Sequence, residues 1–331
     1  MSRGTARAAR SDGVAALAAE AVAAHGGTIL RRMANDPRLD DPETIHDVRV
    51  ASRRLREALA VFRAAIPERR RRRLLDTARR LTRRLGETRN ADVGAALLRE
   101  WIARAEERGG PRAWVAAAPA ASALAKRLEA RARRLRIAAG PAGRRDARRL
   151  RRRVRRVARA LERGKVPRGG APVGEGDIAR AEIATRTARL FRHASGWSDP
   201  ANIEALHATR IAAKRLRYTL ELFDRRTGPG FADRLALVKA VQESLGRHHD
   251  ASVLLDEASR WEESGALAMR AAGRGAWRAL EARLVEERRR WHTRFLEHLE
   301  GWREDTFTSF LLDGMGARAA EVPLPSGARP A

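Results

Sequence analysis

The sequence predicts an all-α fold, and three observations support this prediction. Alanine, leucine, arginine and glutamate, which favour helices, recur at helical spacing along almost the whole chain. Segments that are β-branched or that alternate apolar with polar residues are scarce. Glycine and proline cluster at a few points, where they mark turns between helices.

The composition indicates a folded protein with a polyanionic partner. Hydrophobic residues make up 44% of the 331 residues, which is enough to bury a core. Lysine and arginine number 69 against 41 acidic residues, so the formal net charge is +28. This excess favours nucleic acid, polyphosphate or an anionic membrane surface as the partner. Because there is no cysteine, disulfides, thiol catalysis and cysteine metal sites are excluded, and a cytoplasmic location is expected.

The first half is predicted to contain six helical stretches. Asp41 suits the N-cap and Pro42 the N1 position of the second helix. Gly86 suits the C′ position that ends the third helix, and Asn90 can cap the fourth. The sixth stretch holds eleven arginines but keeps an apolar stripe, so it is expected to be a docked helix. A solvated charged face is the interpretation favoured for it, and direct polyanion contact is the alternative. The stretches cover about 11–33, 42–66, 68–85, 90–108, 113–137 and 144–163.

The second half repeats this plan after a linker rich in glycine and proline. Asp250 is expected to cap a helix, as Asn90 does in the first half. Trp277, Trp291 and Phe295 belong to the expected buried side of a long later helix. The predicted helices cover about 178–195, 199–223 and 231–245, then a stretch from 250, and finally 266–301.

These elements predict two halves of one domain and a tail. The first half covers 11–163, the linker 164–177, the second half 178–312 and a flexible tail 313–331. The apolar N-terminal stretch is interpreted as the first helix and not as a signal peptide, because Glu20 and His25 interrupt it. No stretch approaches 18 uncharged apolar residues, so no membrane span is expected.

One 18-residue stretch occurs twice. The segment 45–62, IHDVRVASRRLREALAVF, returns 161 residues later as LHATRIAAKRLRYTLELF, and eight of the 18 positions are identical. On a helix, His46, Arg49, Arg53 and Arg56 fall on one side, while Leu55 and its apolar neighbours fall on the other. Each copy therefore presents a histidine and three cations along about three turns, roughly 15 Å, which suits a long, repetitive anion.

A second block also recurs, as LGETRNADV at 85–93 and LGRHHDASV at 245–253. The His-x-x-Arg-(Val/Ile)-x-x-(Arg/Lys)-Arg-Leu-Arg motif and the Leu-Gly block, each present twice in the same order, resemble the CHAD family, the conserved histidine α-helical domain. Asn90 replaces the usual aspartate of the first block, and His249 occupies the Arg/Asn position of the second. The resemblance covers about residues 12–312. It implies two pseudo-symmetric four-helix bundles that face each other across a basic channel for inorganic polyphosphate.

The motifs and the resemblance together give twelve candidate phosphate-binding residues. Arginine side chains suit this role because a guanidinium matches two phosphate oxygens at once. Lys239 is marked by the resemblance, and Arg79 is its equivalent in the first half. The loops that carry Arg89 and His249 are expected to lie beside helix N-termini, which favour anions. The twelve are His46, Arg49, Arg53, Arg56, Arg79, Arg89, His207, Arg210, Lys214, Arg217, Lys239 and His249.

The expected function is therefore non-catalytic polyphosphate binding in the cytoplasm, with association with polyphosphate granules. A nucleic-acid-binding helical protein is the alternative, although aromatic residues are only 5% of the chain and leave no stacking platform for bases. No histidine pair has ligand spacing with converging carboxylates, so no metal site is expected. No P-loop and no Glu-x-Glu-x-Lys signature of triphosphate-tunnel enzymes occurs, so neither catalysis nor a cofactor is expected.

Overall fold

The computed structural model describes residues 3–106, 112–163, 174–224, 230–263 and 272–313. Within these ranges the regular elements are helices and no strand occurs, which confirms the all-α prediction. Most of the predicted linker, 164–173, and most of the predicted tail, 314–331, lie outside the described residues. The helices are α1 (Arg3–Asn35), α2 (Pro42–Val61), α3 (Glu68–Arg84), α4 (Gly86–Glu106), α5 (Arg112–Glu162), α6 (Glu175–Phe191), α7 (Ile203–Phe223), α8 (Phe231–Glu263), α9 (Arg274–Leu299) and α10 (Glu304–Leu312), with a 3₁₀ turn at Ala194–Gly196.

The buried apolar residues form three clusters. The first joins α1, α2 and α3 to the C-terminal part of α5, where Leu150 and Val157 are fully buried. The third joins α6, α7 and α10 to the start of α8 and the end of α9. The second cluster combines α4 and α5 of the first half with α8 and α9 of the second. Two separate four-helix bundles, and the boundaries 11–163 and 178–312, therefore stay predictions.

Several predicted helix ends are confirmed. Asp41 is the N-cap of α2, and its carboxylate accepts hydrogen bonds from the backbone N–H groups of Glu43 and Thr44, both at 3.0 Å.

The arginine-rich stretch 144–163 is a docked helix, because its apolar stripe packs in the first cluster. Trp291 was expected on the buried side of α9 but is only partly buried, with Arg294 stacked against its ring at 5.1 Å.

The helix starts predicted at Asn90 and Asp250 in the two Leu-Gly blocks are wrong, although α3 does end before Gly86 as predicted. In the second block, α8 continues through Gly246, so Asp250 lies inside a helix and caps nothing. Packing on both sides of Gly246 outweighs its helix cost of about 1 kcal/mol. In the first block, α4 begins at Gly86 itself, because the Arg89 N–H already donates to the Leu85 carbonyl at 3.2 Å. Asn90 is therefore a helical residue as well.

The helices predicted over 113–137 and 144–163 are also one element. The 51-residue α5 passes through Pro119 and Pro141, each of which removes one backbone hydrogen bond. Tertiary packing stabilises α5 near Pro141, the second of these prolines. A Cβ on Gly143 would lie 3.3 Å from both Leu39 and Met33, so α5 approaches α1 and the following turn closely at this point.

One stretch, Gly13–Asn35 in α1, is long and apolar enough by length and composition to cross a membrane. In this fold it is a core helix, because Ala18, Val22 and Ile29 are fully buried against neighbouring helices. A buried core helix passes the same length and composition test, so the stretch is weak evidence for a span.

A buried ionic network connects the two halves beside the motif helices. Arg186 of α6 donates through Nε to Glu57 of α2 at 2.7 Å and also pairs with Glu182. The Thr219 hydroxyl of α7 donates to the same Glu57 oxygen at 3.2 Å. The network therefore fixes α2, α6 and α7 relative to one another.

We expect Glu57→Ala to lower the free energy of unfolding by about 3 kcal/mol, because it leaves a buried guanidinium without one of its two carboxylates. The control is Glu129→Ala, which removes a more exposed pair with Arg99 and should cost about 1 kcal/mol or less. Urea denaturation followed by circular dichroism measures both values. Equal losses in the two variants would contradict a structural role for the Glu57 network.

Candidate functional site

The two copies of the repeated motif form α2 and α7, which pack against each other. Phe62 and Phe223 hold equivalent positions in the two copies, and their rings meet edge to face at 6.1 Å between centroids. The Arg54 Nε donates to Glu221 at 2.9 Å across the same contact. The apolar stripe of α2 is buried as predicted: Val48, Ala51, Leu55, Leu59 and Phe62.

The cations of the two copies lie close enough to repel each other. Burial first, then the charges of Arg210 and Arg53, lower the pKa of Lys214 to about 6. Burial and neighbouring cations, Arg53 and Arg210 among them, lower the pKa of Arg49 to about 10. Arg49 and Arg210 are equivalent residues of the two copies, as are Arg53 and Lys214. The cation row of α2 (His46, Arg49, Arg53 and Arg56, the first row) and that of α7 (His207, Arg210, Lys214 and Arg217, the second row) therefore form one basic surface.

A cleft opens between α7 and α8 beside this surface. Its volume is about 400 Å³. Five cations and two carboxylates are among its lining residues, so its net charge is positive. The cleft is lined by Arg210, Lys214, Arg217, Lys239, Gln242, Glu243, Gly246, Arg247 and Asp250.

Asp250 lines the cleft and interacts electrostatically with the motif cations Arg210 and Lys214. Burial raises its pKa, although the neighbouring Arg210 and Lys214 act in the opposite direction. An aspartate at this place offsets part of the positive charge of the free cleft, as expected where like charges converge. The sequence prediction had assigned Asp250 to a helix cap and so missed it as a site residue.

The first row is anchored to the helices next to it. The Arg49 Nη1 donates to the Thr82 carbonyl of α3 at 2.7 Å, and Arg49 is only 7% exposed. A Cβ on Gly86 would come within 3.3 Å of the same Arg49 nitrogen, so the glycine leaves room for this guanidinium. Burial, followed by the charge of Arg89, lowers the pKa of His46. Arg89 therefore lies beside the first row, in the first turn of α4.

At the C-terminal end of the first row, the basic surface extends to α3. Burial, then the charges of Arg215 and Arg79, lower the pKa of Arg56. The buried Nε of Arg56 and the buried Nε of Arg210 have no hydrogen-bond partner within the described part of the chain. A buried N–H group without a partner is costly, so these two guanidinium groups are incompletely satisfied by the protein.

Four of the eight histidines form two pairs with different environments. The His207 and His249 rings lie tilted with centroids 4.9 Å apart, and burial followed by Arg210 lowers the pKa of His249 to about 3. His248 and His292 instead lie within 3.3 and 2.6 Å, through Nε2, of the carbonyls of Pro200 and Trp197. His249 thus belongs to the basic surface, whereas His248 has a structural bond. His249 lies inside α8 and not beside a helix N-terminus, which corrects that part of the prediction.

All twelve predicted residues lie within the described chain and around one surface. Ten interact electrostatically within the group, and the other two, Arg217 and Lys239, line the cleft. Arg217 also pairs with Glu221 at 3.1 Å, so part of its charge is already neutralised. Arg215, which acts on Arg56, and Arg247, which lines the cleft, are not among the predicted residues. The role of the twelve in binding stays a prediction. Among the described residues, no group of three or more metal-ligating side chains is suitably placed for a metal ion.

Comparison with protein families identifies the fold. The model of the CHAD domain matches residues 20–259, which is most of the chain. The chain belongs to the CHAD family. The CHAD domain from the plant Ricinus communis has a similar structure, with a TM-score of 0.60 and 25% identity over 86% of this chain and 92% of that chain.

A second solved structure supports the fold alone. PptA from Streptomyces chartreusis has a TM-score of 0.56 and 17% identity over 86% of this chain and 99% of that chain. No curated protein sequence is significantly similar to this CHAD protein. Both motif helices and both Leu-Gly blocks lie within the matched residues 20–259.

Proposed function

We propose that this CHAD protein binds inorganic polyphosphate on the basic surface of α2 and α7 and in the adjoining cleft, and that it catalyses no reaction. One observation carries the proposal: equivalent cations of the two motif copies lie within electrostatic reach of one another, and burial together with that repulsion lowers the pKa of Lys214 to about 6. Such a surface is stabilised by a polyanion that neutralises the whole row. Membership of the CHAD family points in the same direction.

The nature of the surface favours polyphosphate over nucleic acid. Polyphosphate offers charge and oxygen acceptors at every unit, which match guanidinium donors without any base contact. Nucleic acid would gain from stacking, but Tyr218, the aromatic residue beside the basic row, is only 6% exposed and lies under Arg217 at 5.1 Å. A cytoplasmic location and association with polyphosphate granules follow from this proposal.

We expect long polyphosphate to bind more tightly than single-stranded RNA or duplex DNA of equal total charge. Binding should weaken steeply with salt, because each neutralised phosphate releases counterions. Competition at fixed ionic strength measures the preference, with a labelled polyphosphate displaced by each rival. Equal or better displacement by nucleic acid would contradict the proposal, and metal-dependent release of orthophosphate would contradict its non-catalytic part.

A further inference from the structure

A second arginine-lined cleft lies between α3 and α5, and none of its lining residues belongs to a motif helix. Its volume is about 320 Å³. Every lining residue is an arginine: Arg69, Arg70 and Arg73 on α3, and Arg153 and Arg156 on α5. Charges that line a cleft without any carboxylate among them repel one another, and this favours an anionic ligand.

Hydrogen bonds to the helices hold two of these guanidinium groups in place. Arg153 donates through Nη1 to the Arg73 carbonyl and to the Thr77 hydroxyl. Arg70 donates through Nη1 to the Arg156 carbonyl at 3.4 Å. A guanidinium has five N–H donors, so each of these side chains keeps donors for a ligand while its position is fixed.

The nearest carboxylates are engaged elsewhere. Glu68 pairs with Arg71 and Arg72, outside the cleft. Asp146 is buried and lies nearest to Arg84, at 3.5 Å, with Arg80 next at 3.7 Å. Asp76, which also acts on Arg153, pairs with Arg79 at 3.8 Å, so the acids next to the cleft pair with arginines outside it.

Burial, followed by the charge of Arg80 and other arginines, lowers the pKa of Arg153, with only Asp76 acting in the opposite direction. This shift agrees with the geometry, since a guanidinium loses basicity where cations outnumber anions. The cleft thus resembles the basic surface of the motif helices in its charge, although it contains no histidine and no lysine.

We propose that the α3–α5 cleft is a second polyphosphate site, which holds a short segment of the polymer independently of the motif helices. The choice of polyphosphate as the ligand rests on the function proposed above. α3 connects the cleft to the motif surface, because Arg79 on this helix lies beside Arg56 of the first motif row. A long polyphosphate can therefore contact both sites by passing over α3, whereas a short one fills each site separately.

The test uses tripolyphosphate, which is too short to reach both sites, and isothermal titration calorimetry at fixed ionic strength. We expect the unchanged protein to bind more than one tripolyphosphate. Arg53→Gln with Lys214→Gln should remove the motif site and leave one class of site. Adding Arg69→Gln, Arg73→Gln and Arg156→Gln should then weaken the remaining site about tenfold or more.

The matched control replaces Arg148, Arg151 and Arg155 by glutamine. These three are exposed, lie on α5 itself and point away from the cleft at helical spacing, so the control has the same net charge and the same type of change. The control should keep the affinity of the remaining site. Equal weakening by both triple variants would overturn the proposal, because it would reduce the cleft to part of a general surface potential.

The outcomes separate this proposal from the proposed function. A single site that Arg53→Gln with Lys214→Gln abolishes would sustain the function and refute the second site. Binding that only the cleft variant abolishes would sustain the second site and refute the motif site. Preferential displacement from the cleft by single-stranded RNA of equal charge would overturn the assignment of polyphosphate to it.

Discussion

Arg53→Glu and Lys214→Glu should each weaken polyphosphate binding by about 100-fold, which corresponds to about 2.7 kcal/mol. Each change removes charge-assisted hydrogen bonds worth about 1.5–3 kcal/mol and places a carboxylate on a surface that must accept an anion. The two variants should have similar effects, because Arg53 and Lys214 are equivalent and Arg53 itself lowers the pKa of Lys214. Titration calorimetry with long polyphosphate at fixed ionic strength measures the loss.

These two positions separate binding from folding better than Arg49 does. Arg49 donates to the Thr82 carbonyl, so its replacement would also disturb the packing of α2 against α3. Arg151→Glu is the control, since Arg151 is exposed on α5 and lies outside both clefts. It should weaken binding much less. Normal affinity in either motif variant, with the helical circular dichroism spectrum intact, would contradict a shared surface of the two copies.

The repeat explains why the candidate site is predictable from the sequence. Two copies of one helix with the same apolar stripe must bury equivalent faces, and Phe62 and Phe223 meet directly as a result. Once those faces pack, helical spacing alone places Arg49 near Arg210 and Arg53 near Lys214. The site thus follows from local periodicity together with a single contact between the copies.

The helix breaks were less predictable because glycine and aspartate have two possible roles. Gly246 and Asp250 have the sequence features of a C-cap and an N-cap, yet α8 runs through both. Tertiary packing on either side of Gly246 decides that the helix continues, since the helix preference of one residue amounts to only about 1 kcal/mol. Asp250 then lies in the cleft, at a position that capping chemistry could not indicate.

Long-range partners were not predictable either. The bond from Arg186 to Glu57 joins residues 129 positions apart, and nothing in their neighbours marks them. The α3–α5 cleft likewise requires two arginine-rich helices to be brought together, although each looks like a solvated charged face by itself. Pairing of this kind depends on the global arrangement of helices, which local patterns do not specify.

The last prediction concerns pH: polyphosphate affinity should fall as pH rises from about 7 to about 9, and Lys214→Arg should reduce this fall. Burial and Arg210 lower the pKa of Lys214 to about 6 in the free protein, so this amine is largely neutral above pH 7. A bound polyanion stabilises the charged ammonium and raises its pKa, so binding takes up a proton. Each proton taken up changes the affinity by up to about tenfold per pH unit.

Arginine is the sharpest replacement, because the first copy has Arg53 at the equivalent position and because a guanidinium stays charged throughout this pH range. The charge is thus kept while the titration is removed. Titration calorimetry of both proteins against the same long polyphosphate, in buffers of constant ionic strength, gives the two slopes, and their difference cancels the protonation of the ligand. The uptake of protons is checked separately by repeating the titration in buffers of different ionisation enthalpy. Equal slopes for the two proteins would mean that Lys214 does not change its charge on binding and would contradict the proposed proton uptake.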